Sequence, residues 1–350
     1  MTAPPAARLL TPEEIAVNAG EQIPFLRLPD RGVFAERELR LRQLAAGHPM
    51  RDYLLFVAEL ARAQHEALRD AAPVALPTAA QIDAAASAGV PLVDALTWQR
   101  DPAWRGVLRD VLARLAPRVA GPAADTVRAL GQADDAHLDR QADRLLGGLM
   151  HGLDLGTAPL VAAGLQTYFT HLVLATQAVH DAAAGTARGT GRPYAEPFGR
   201  VDDATLCPCC GSRPTAAITR IGAAESGHRY LHCALCSTQW HYVRIKCAHC
   251  QGTKGITYRS LEALADGASA GAAQPDAVQA ECCDACGHYL KIVRMEKDMH
   301  VEPVADDLAS LTLDLLLSDA GIARHGINPM LVFGDPEPAD DEAVAAPADR

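Results

Sequence analysis

Eight of the ten cysteines in this 350-residue chain form four C-x2-C pairs: Cys207/Cys210, Cys233/Cys236, Cys247/Cys250 and Cys283/Cys286. All ten cysteines fall between Cys207 and Cys286. Two cysteines three apart are turned by one tight loop so that both sulfurs face a single cation, and two such loops complete a tetrahedron of thiolates. Four pairs predict two metal ions, with short strands and hairpins folded around them. A disulfide framework fits less well, because it belongs to small secreted domains and spreads through them.

Glycine follows two of the pairs directly, in CPCCG and CDACG, and one place later in CAHCQG. Gly permits the left-handed turn that aims backbone N–H groups at sulfur, so these are knuckles of the zinc-ribbon and rubredoxin kind. Reach limits which pairs share an ion. Read as an extended strand, the stretch STQWHYVRIK between Cys236 and Cys247 holds its ends roughly 36 Å apart. That excludes a nested arrangement and leaves sequential or interleaved pairing. Sequential pairing needs only local hairpins and is favoured: Cys207, Cys210, Cys233 and Cys236 on one ion, then Cys247, Cys250, Cys283 and Cys286 on the other.

Four sulfurs in a tetrahedron select zinc or mononuclear iron without separating them. Such a site is closed, with no position for water or substrate, and its plain role is to staple a small module. Cys209 and Cys282 are left over; a small residue at a tolerant place is favoured over a reactive thiol or an alternative ligand. His232, His241, His249 and His288 lie near the pairs in sequence and read as outer-shell donors or surface residues rather than ligands. Redox use as dithiols is the rival chemistry, but a single pair would suffice for it.

With 32 Lys and Arg against 43 Asp and Glu, the formal net charge is −11, and metal-bound thiolates make it more negative. Nucleic-acid affinity is largely a basic-patch effect, so a nucleic-acid-binding zinc ribbon rests only on Arg213, Arg220, Arg229, Arg244, Lys246 and Arg259. The start MTAPPAARLLTPEEI lacks the basic opening and apolar core of a signal peptide, which predicts a cytoplasmic protein. Pro159 to Ala175 is the most apolar stretch, but Gln166, Thr167, Thr170 and His171 interrupt it. It reads as a buried core helix rather than a membrane span.

From Phe34 to His180 the residues recur at helical spacing with Pro or Gly at the breaks, predicting an all-helical domain over 1–184. Leu39, Leu41 and Leu44 are expected on or near one face. Tyr53, Leu54, Val57, Leu60 and Ala61 are expected together on the next helix, Met50 to Leu68. Further helices are expected over Trp104–Leu115, Ala123–Gly131, His137–Met150 and Thr157–Ala184, with loops around the segment Thr78–Ala88. No Gly-rich phosphate loop or nucleophile elbow occurs in this part, which reads as a scaffold or docking surface.

A Gly- and Pro-rich linker spans 185–205, and the period then changes to two. Strands are expected over Ala216–Ile221, Arg229–His232, Gln239–Lys246, Ile256–Ser260 and Tyr289–Met295, in a first module at 206–242 and a second at 243–300. The Ala- and Gly-rich insert Asp266–Gln279 reads as a flexible excursion. In the segment 301–331, ADDLASLTLDLLLSDAG has helical periodicity with Leu308, Leu311, Leu315 and Leu316 on one side. Asp306 and Asp307 suit the start of that helix and Gly321 its stop. The acidic tail, 332–350, reads as disordered.

YLHCALCSTQWHYVRIKCAHC, CDACGHYLKIVRMEKD, and EPVADDLASLTLDLLLSDAG ending in INPML resemble the FdhE-type formate dehydrogenase accessory proteins. FLRLPD and RLRQLAAGHPMRDYLLFVAELARAQHEAL share the likeness, which runs from about Phe25 to Leu331. The resemblance implies a multi-domain α + small β fold: an N-terminal all-α domain, two tandem rubredoxin-like modules and a C-terminal helix. It implies iron as the metal, with zinc as the alternative, and carries the four C-x2-C pairs over as ligands. Its implied role is cytoplasmic assistance to the maturation of respiratory formate dehydrogenase by binding the catalytic subunit. Cys209 and Cys282 depart from the family pattern and receive no role. Combined with the closed sites, this predicts a protein that is not an enzyme, with no small-molecule substrate, nucleic acid or membrane insertion. The alternative is a rubredoxin-like iron protein acting in electron transfer or redox sensing.

Overall fold

Helices form in the N-terminal half wherever apolar residues recur on one face. The computed structural model describes residues 23–186, 195–221, 227–261 and 276–331. Its helices are α1 (Val33–Ala45), α2 (Arg51–Arg69), α3 (Ala79–Ala88), α4 (Ala103–Leu115), α5 (Pro122–Gly131), α6 (Asp135–Leu146) and α7 (Ala158–Thr186). The segment expected between loops is helix α3. Thr78 Oγ1 accepts from the Gln81 N–H, Gln81 Oε1 accepts from the Thr78 N–H, and left-handed Gly89 ends the helix.

The long helix α7 packs against α2, α4 and α6. Of its most apolar window, 78% is buried, so the apolar surface is used by the protein's own core, as the interrupting polar residues predict. Two of those residues bond inside: Thr167 Oγ1 donates to Ala163 O at 2.8 Å, and Gln166 Nε2 donates to Ala234 O at 2.8 Å. The second bond ties the helical region to a cysteine knuckle. Gly164 allows α7 to approach α4, since a Cβ there would lie 2.8 Å from Leu108 Cβ.

The expected face of α1 is corrected by the structure. Leu41 and Leu44 are buried, but Leu39 is 60% exposed and Arg37 and Arg40 are buried in its place. The reason lies far along the chain. Glu302 and Asp306 accept ion pairs from Arg37 and Arg40 at 3.1 and 2.6 Å, making an arginine face cheaper to bury than it looks locally.

The strands are β1 (Leu26–Arg27), β2 (Pro214–Thr219), β3 (Arg229–Cys233), β4 (Gln239–His241), β5 (Ile256–Arg259), β6 (Val278–Cys283), β7 (His288–Arg294) and β8 (Ala323–Arg324). They form one sheet in the order β1-β4-β3-β2-β7-β6-β5, with β8 on β7. Each cysteine half is an antiparallel meander, and the parallel pairing of Ala217 with Ile292 fuses the halves. Strand β6 was not expected. Its first residues close the Ala- and Gly-rich insert, the rest of which lies mostly outside the described residues. The expected strand over Gln239–Lys246 stops at His241. Tyr242 N–H still bonds Arg229 O, the first residue of β3, but beyond it the chain turns, with Lys246 N–H on Val243 O and the Arg229 guanidinium on Val243 O and Lys246 O.

The C-terminal run is split into α8 (Pro303–Ala309) and α9 (Leu311–Asp319). At the break, Ser310 Oγ donates to Asp306 O and Lys291 Nζ donates to Asp307 O, at 2.7 and 2.8 Å, taking carbonyls that a continuous helix would use. The break shifts the phase, so Leu308, Leu313 and Leu317 are buried while Leu315 and Leu316 are exposed.

Candidate metal centres

The four pairs come together as two clusters, each with its sulfurs within 4.8 Å of one another: Cys207, Cys210, Cys233 and Cys236, and Cys247, Cys250, Cys283 and Cys286. This is the sequential pairing. It arises from the hairpins β2–β3 and β5–β6, which pair Pro214 with Cys233 and Ile256 with Cys283, and not from a long strand, since the extended Gln239–Lys246 stretch on which the reach argument stood is absent.

Sulfur separations test whether an ion fits. Cys207–Cys236 is 3.6 Å, Cys210–Cys233 is 3.4 Å, Cys247–Cys286 is 3.8 Å and Cys250–Cys283 is 3.7 Å. Metal–sulfur bonds of about 2.3 Å place the edges of a tetrahedron at about 3.8 Å, whereas a disulfide needs about 2.05 Å. The thiols are free and spaced for a metal.

The backbone makes each knuckle in the same way. The residue after the second cysteine is left-handed in all four: Gly211 at φ 70°, Ser237 at 59°, Gln251 at 61° and Gly287 at 68°. In the third knuckle the turn expected of Gly252 is made by Gln251, while Gly252 sits against sulfur, where a Cβ would be 3.3 Å from Cys250 Sγ. Amides then aim at the thiols: Leu235 N and Cys236 N at Cys233 Sγ, at 3.3 and 3.4 Å, and His249 N at Cys247 Sγ, at 3.4 Å. The helical region braces the first knuckle, with Val93 N–H on Cys209 O and Ala95 N–H on Cys210 O.

The two clusters differ in exposure. Every thiol of the first cluster is buried, whereas Cys250 is exposed and Cys286 half-buried. Burial pushes the Cys207 and Cys233 thiols well up; at Cys236 burial acts the same way, but hydrogen bonds from Cys207, Cys209 and Cys210 outweigh it and hold the thiol well down. In the second cluster the Gly252 N–H lowers Cys250, while burial raises Cys247 and pushes Cys286 up to about 12. Protons therefore compete for the sulfurs of Cys207, Cys233, Cys247 and Cys286, and a cation among them would make four thiolates compatible with this degree of burial.

Cys209 and Cys282 stand outside both sets. Cys209 is buried beside Thr238, whose Oγ1 donates to its sulfur at 3.5 Å. Cys282 packs with Ala280, Tyr289, Leu313 and Leu317. Among the histidines, His232 is buried and His241 packs edge-on to Tyr230. His249 and His288 stack on one another at the edge of the second cluster, joined by His325, a residue whose place near the cysteines had no signal in sequence.

Comparison with known proteins follows this geometry closely. Models of one family match the chain in succession: FdhE, N-terminal, over residues 23–185; FdhE, central domain, over 206–244; and FdhE, C-terminal domain, over 245–331. The chain is 37% identical over 321 residues to a Protein FdhE homolog of Cronobacter sakazakii, covering 91% of this chain and 95% of that one. It is 36% identical over 334 residues to a homolog from Klebsiella pneumoniae, covering 94% and 99%. The crystal structure of the FdhE protein from Pseudomonas aeruginosa superposes with a TM-score of 0.71 at 34% identity, covering 89% of this chain and all of that one.

Proposed function

This chain belongs to the FdhE family, and from that premise we propose that it is a maturation factor for respiratory formate dehydrogenase, binding the catalytic subunit in the cytoplasm through its cysteine modules. The observation that carries this reading is that each cluster supplies four thiols from the chain itself. With iron or zinc held by Cys207, Cys210, Cys233 and Cys236, and by Cys247, Cys250, Cys283 and Cys286, no coordination position is left for substrate. The metal would supply cross-linking of the knuckles and, if iron, a one-unit change of charge. The chain's part is to shape a surface, which supports binding over catalysis. The working units of this reading are the helical 1–184, the modules 206–242 and 243–300, and the C-terminal 301–331.

Co-purification of the catalytic subunit with the full-length protein tests it, comparing wild type with a Cys247→Ser, Cys250→Ser variant. Reduced capture by the variant is expected. Failure of the wild type to retain the subunit would end the reading, and undiminished capture by the variant would remove the second module from the contact.

One observation favours redox sensing as a second reading. Cys250 is solvent-exposed, so an iron there would exchange electrons with a partner at short range. Metal analysis and an absorption spectrum of anaerobically isolated protein decide it, since colourless protein with stoichiometric zinc has no metal-centred redox change to sense.

A further inference from the structure

Cys286 belongs to two groups of donors. Besides the three other thiols of its cluster, one nitrogen each of His249 and His288 lies within 4.8 Å of its sulfur and of the other nitrogen. The two rings stack face to face, with centroids 3.8 Å apart and planes 9° apart, an arrangement that ring quadrupoles do not favour. His288 Nδ1 is 2.8 Å from Cys286 O. A carbonyl can only accept, so Nδ1 carries the proton and Nε2 keeps its lone pair. An N–H bonded to a carbonyl is also the usual device that orients a metal-binding imidazole.

Behind the pair stands His325, 6% exposed and edge-on to His249, with ring centroids 5.1 Å apart. The three imidazoles, together with Cys247 and Cys283, border a cavity of about 10 Å³, the room of roughly one water-sized sphere. Among the described residues, no such histidine set adjoins the buried first cluster.

Charge points the same way. Four thiolates around one dication leave two net negative charges, and a thiolate bound to one metal retains lone pairs for a second. With an ion in the four-cysteine set, the half-exposed Cys286 sulfur is an anionic donor next to two imidazoles, a mixed set that suits a borderline cation.

We propose that the second cluster is the core of a two-ion site: a borderline divalent cation such as zinc is held by His249, His288 and a bridging Cys286 thiolate, beside the ion of the four-cysteine set. The inference rests on the reading of Cys247, Cys250, Cys283 and Cys286 as metal ligands. The rings turn out of their stack to direct both lone pairs at the ion, and the side facing solvent stays open to an exchangeable ligand. That open position distinguishes this site from the closed clusters.

The test is metal content of the full-length protein, isolated with its resident ions and then equilibrated with zinc at a free concentration fixed by a competing chelator. Wild type is expected to hold a third equivalent, and a His249→Ala, His288→Ala variant to lose that equivalent while keeping the resident two. Cobalt(II) used in place of added zinc is expected to report mixed nitrogen and sulfur coordination in wild type only. A wild type saturating at two equivalents, or a third equivalent undiminished in the histidine variant, overturns the proposal. Failure of the underlying reading looks different: a Cys247→Ser, Cys250→Ser variant would then keep the same resident ions as wild type.

Discussion

Arg40 on α1 donates from Nε and Nη2 to the two carboxylate oxygens of Asp306 on α8, at 2.9 and 2.6 Å, with both side chains buried. Beside it, Arg37 pairs with Glu302, so α1 is bolted to α8, which packs on β2 and β7. Bidentate arginine–carboxylate pairs are strong, but their cost appears when one partner is removed and the other is stranded. Asp306→Ala is expected to lower unfolding free energy by about 3–5 kcal/mol, and a double variant, Arg40→Met with Asp306→Leu, to recover a large part of that. Urea unfolding of the metal-loaded protein measures both. A single variant as stable as wild type would mean that Asp298, which also reaches Arg40, suffices alone.

The exposure difference between clusters predicts unequal metal release. Cys250 is open to solvent while Cys207, Cys210, Cys233 and Cys236 are all buried, so a chelator reaches the second ion without unfolding and the first only after local opening. Release in two kinetic phases is expected, the fast one absent from a Cys250→Ser variant. Stopped-flow with a chromogenic chelator checks this, and a single phase carrying both ions would contradict it.

Gln251 predicts a stabilising substitution. At φ 61° it occupies the left-handed region, which costs an L residue about 1–2 kcal/mol, whereas two of its three counterparts, Gly211 and Gly287, are Gly. Gln251→Gly gives up the Lys246 contact to Oε1, worth little at the surface, and is expected to raise stability by about 0.5–1 kcal/mol. Gly211→Ala is expected to move the opposite way, because a Cβ there would run into Asp94. Thermal unfolding of the two variants gives the signs, and a destabilising Gln251→Gly would mean that its side chain anchors the knuckle.

The grouping of the cysteines into two clusters was legible because a C-x2-C pair is a local instruction, needing only its own tight turn and one partner. Helix α2 was legible for a similar reason, with Leu54, Val57, Leu60 and Ala61 buried together. What stayed hidden depends on residues far apart in the chain. Arg37 and Arg40 read as a polar face until Glu302 and Asp306 are set against them. Gln239–Lys246 reads as a long strand because alternation reports what a segment can do, while the length of its partner decides how much of it pairs. Ser310 gives no helix-breaking signal of its own, since Lys291 from β7 must arrive to take the carbonyls. His325 lies 76 positions from His249 with no spacing rule to join them.

Asp307 makes stability depend on acid pH. It is fully buried, which opposes its charge, but Lys291 and Arg324 outweigh the burial and hold its carboxyl below the ordinary value of 3.8. Arg324 bonds both of its oxygens, at 2.8 and 2.7 Å, and Asn328 Nδ2 bonds one at 2.8 Å. A carboxyl whose folded pKa lies below its unfolded one stabilises in full above the unfolded value, and that contribution is lost as pH falls through the folded value. Asp307→Asn keeps the shape but leaves Lys291 and Arg324 short of a charge. It is expected to cost about 3–5 kcal/mol at neutral pH and to flatten the fall in stability below pH 4, so the two curves converge in acid. Urea midpoints of both proteins across that range decide it: curves that stay parallel would show that Asp307 does not carry the acid dependence.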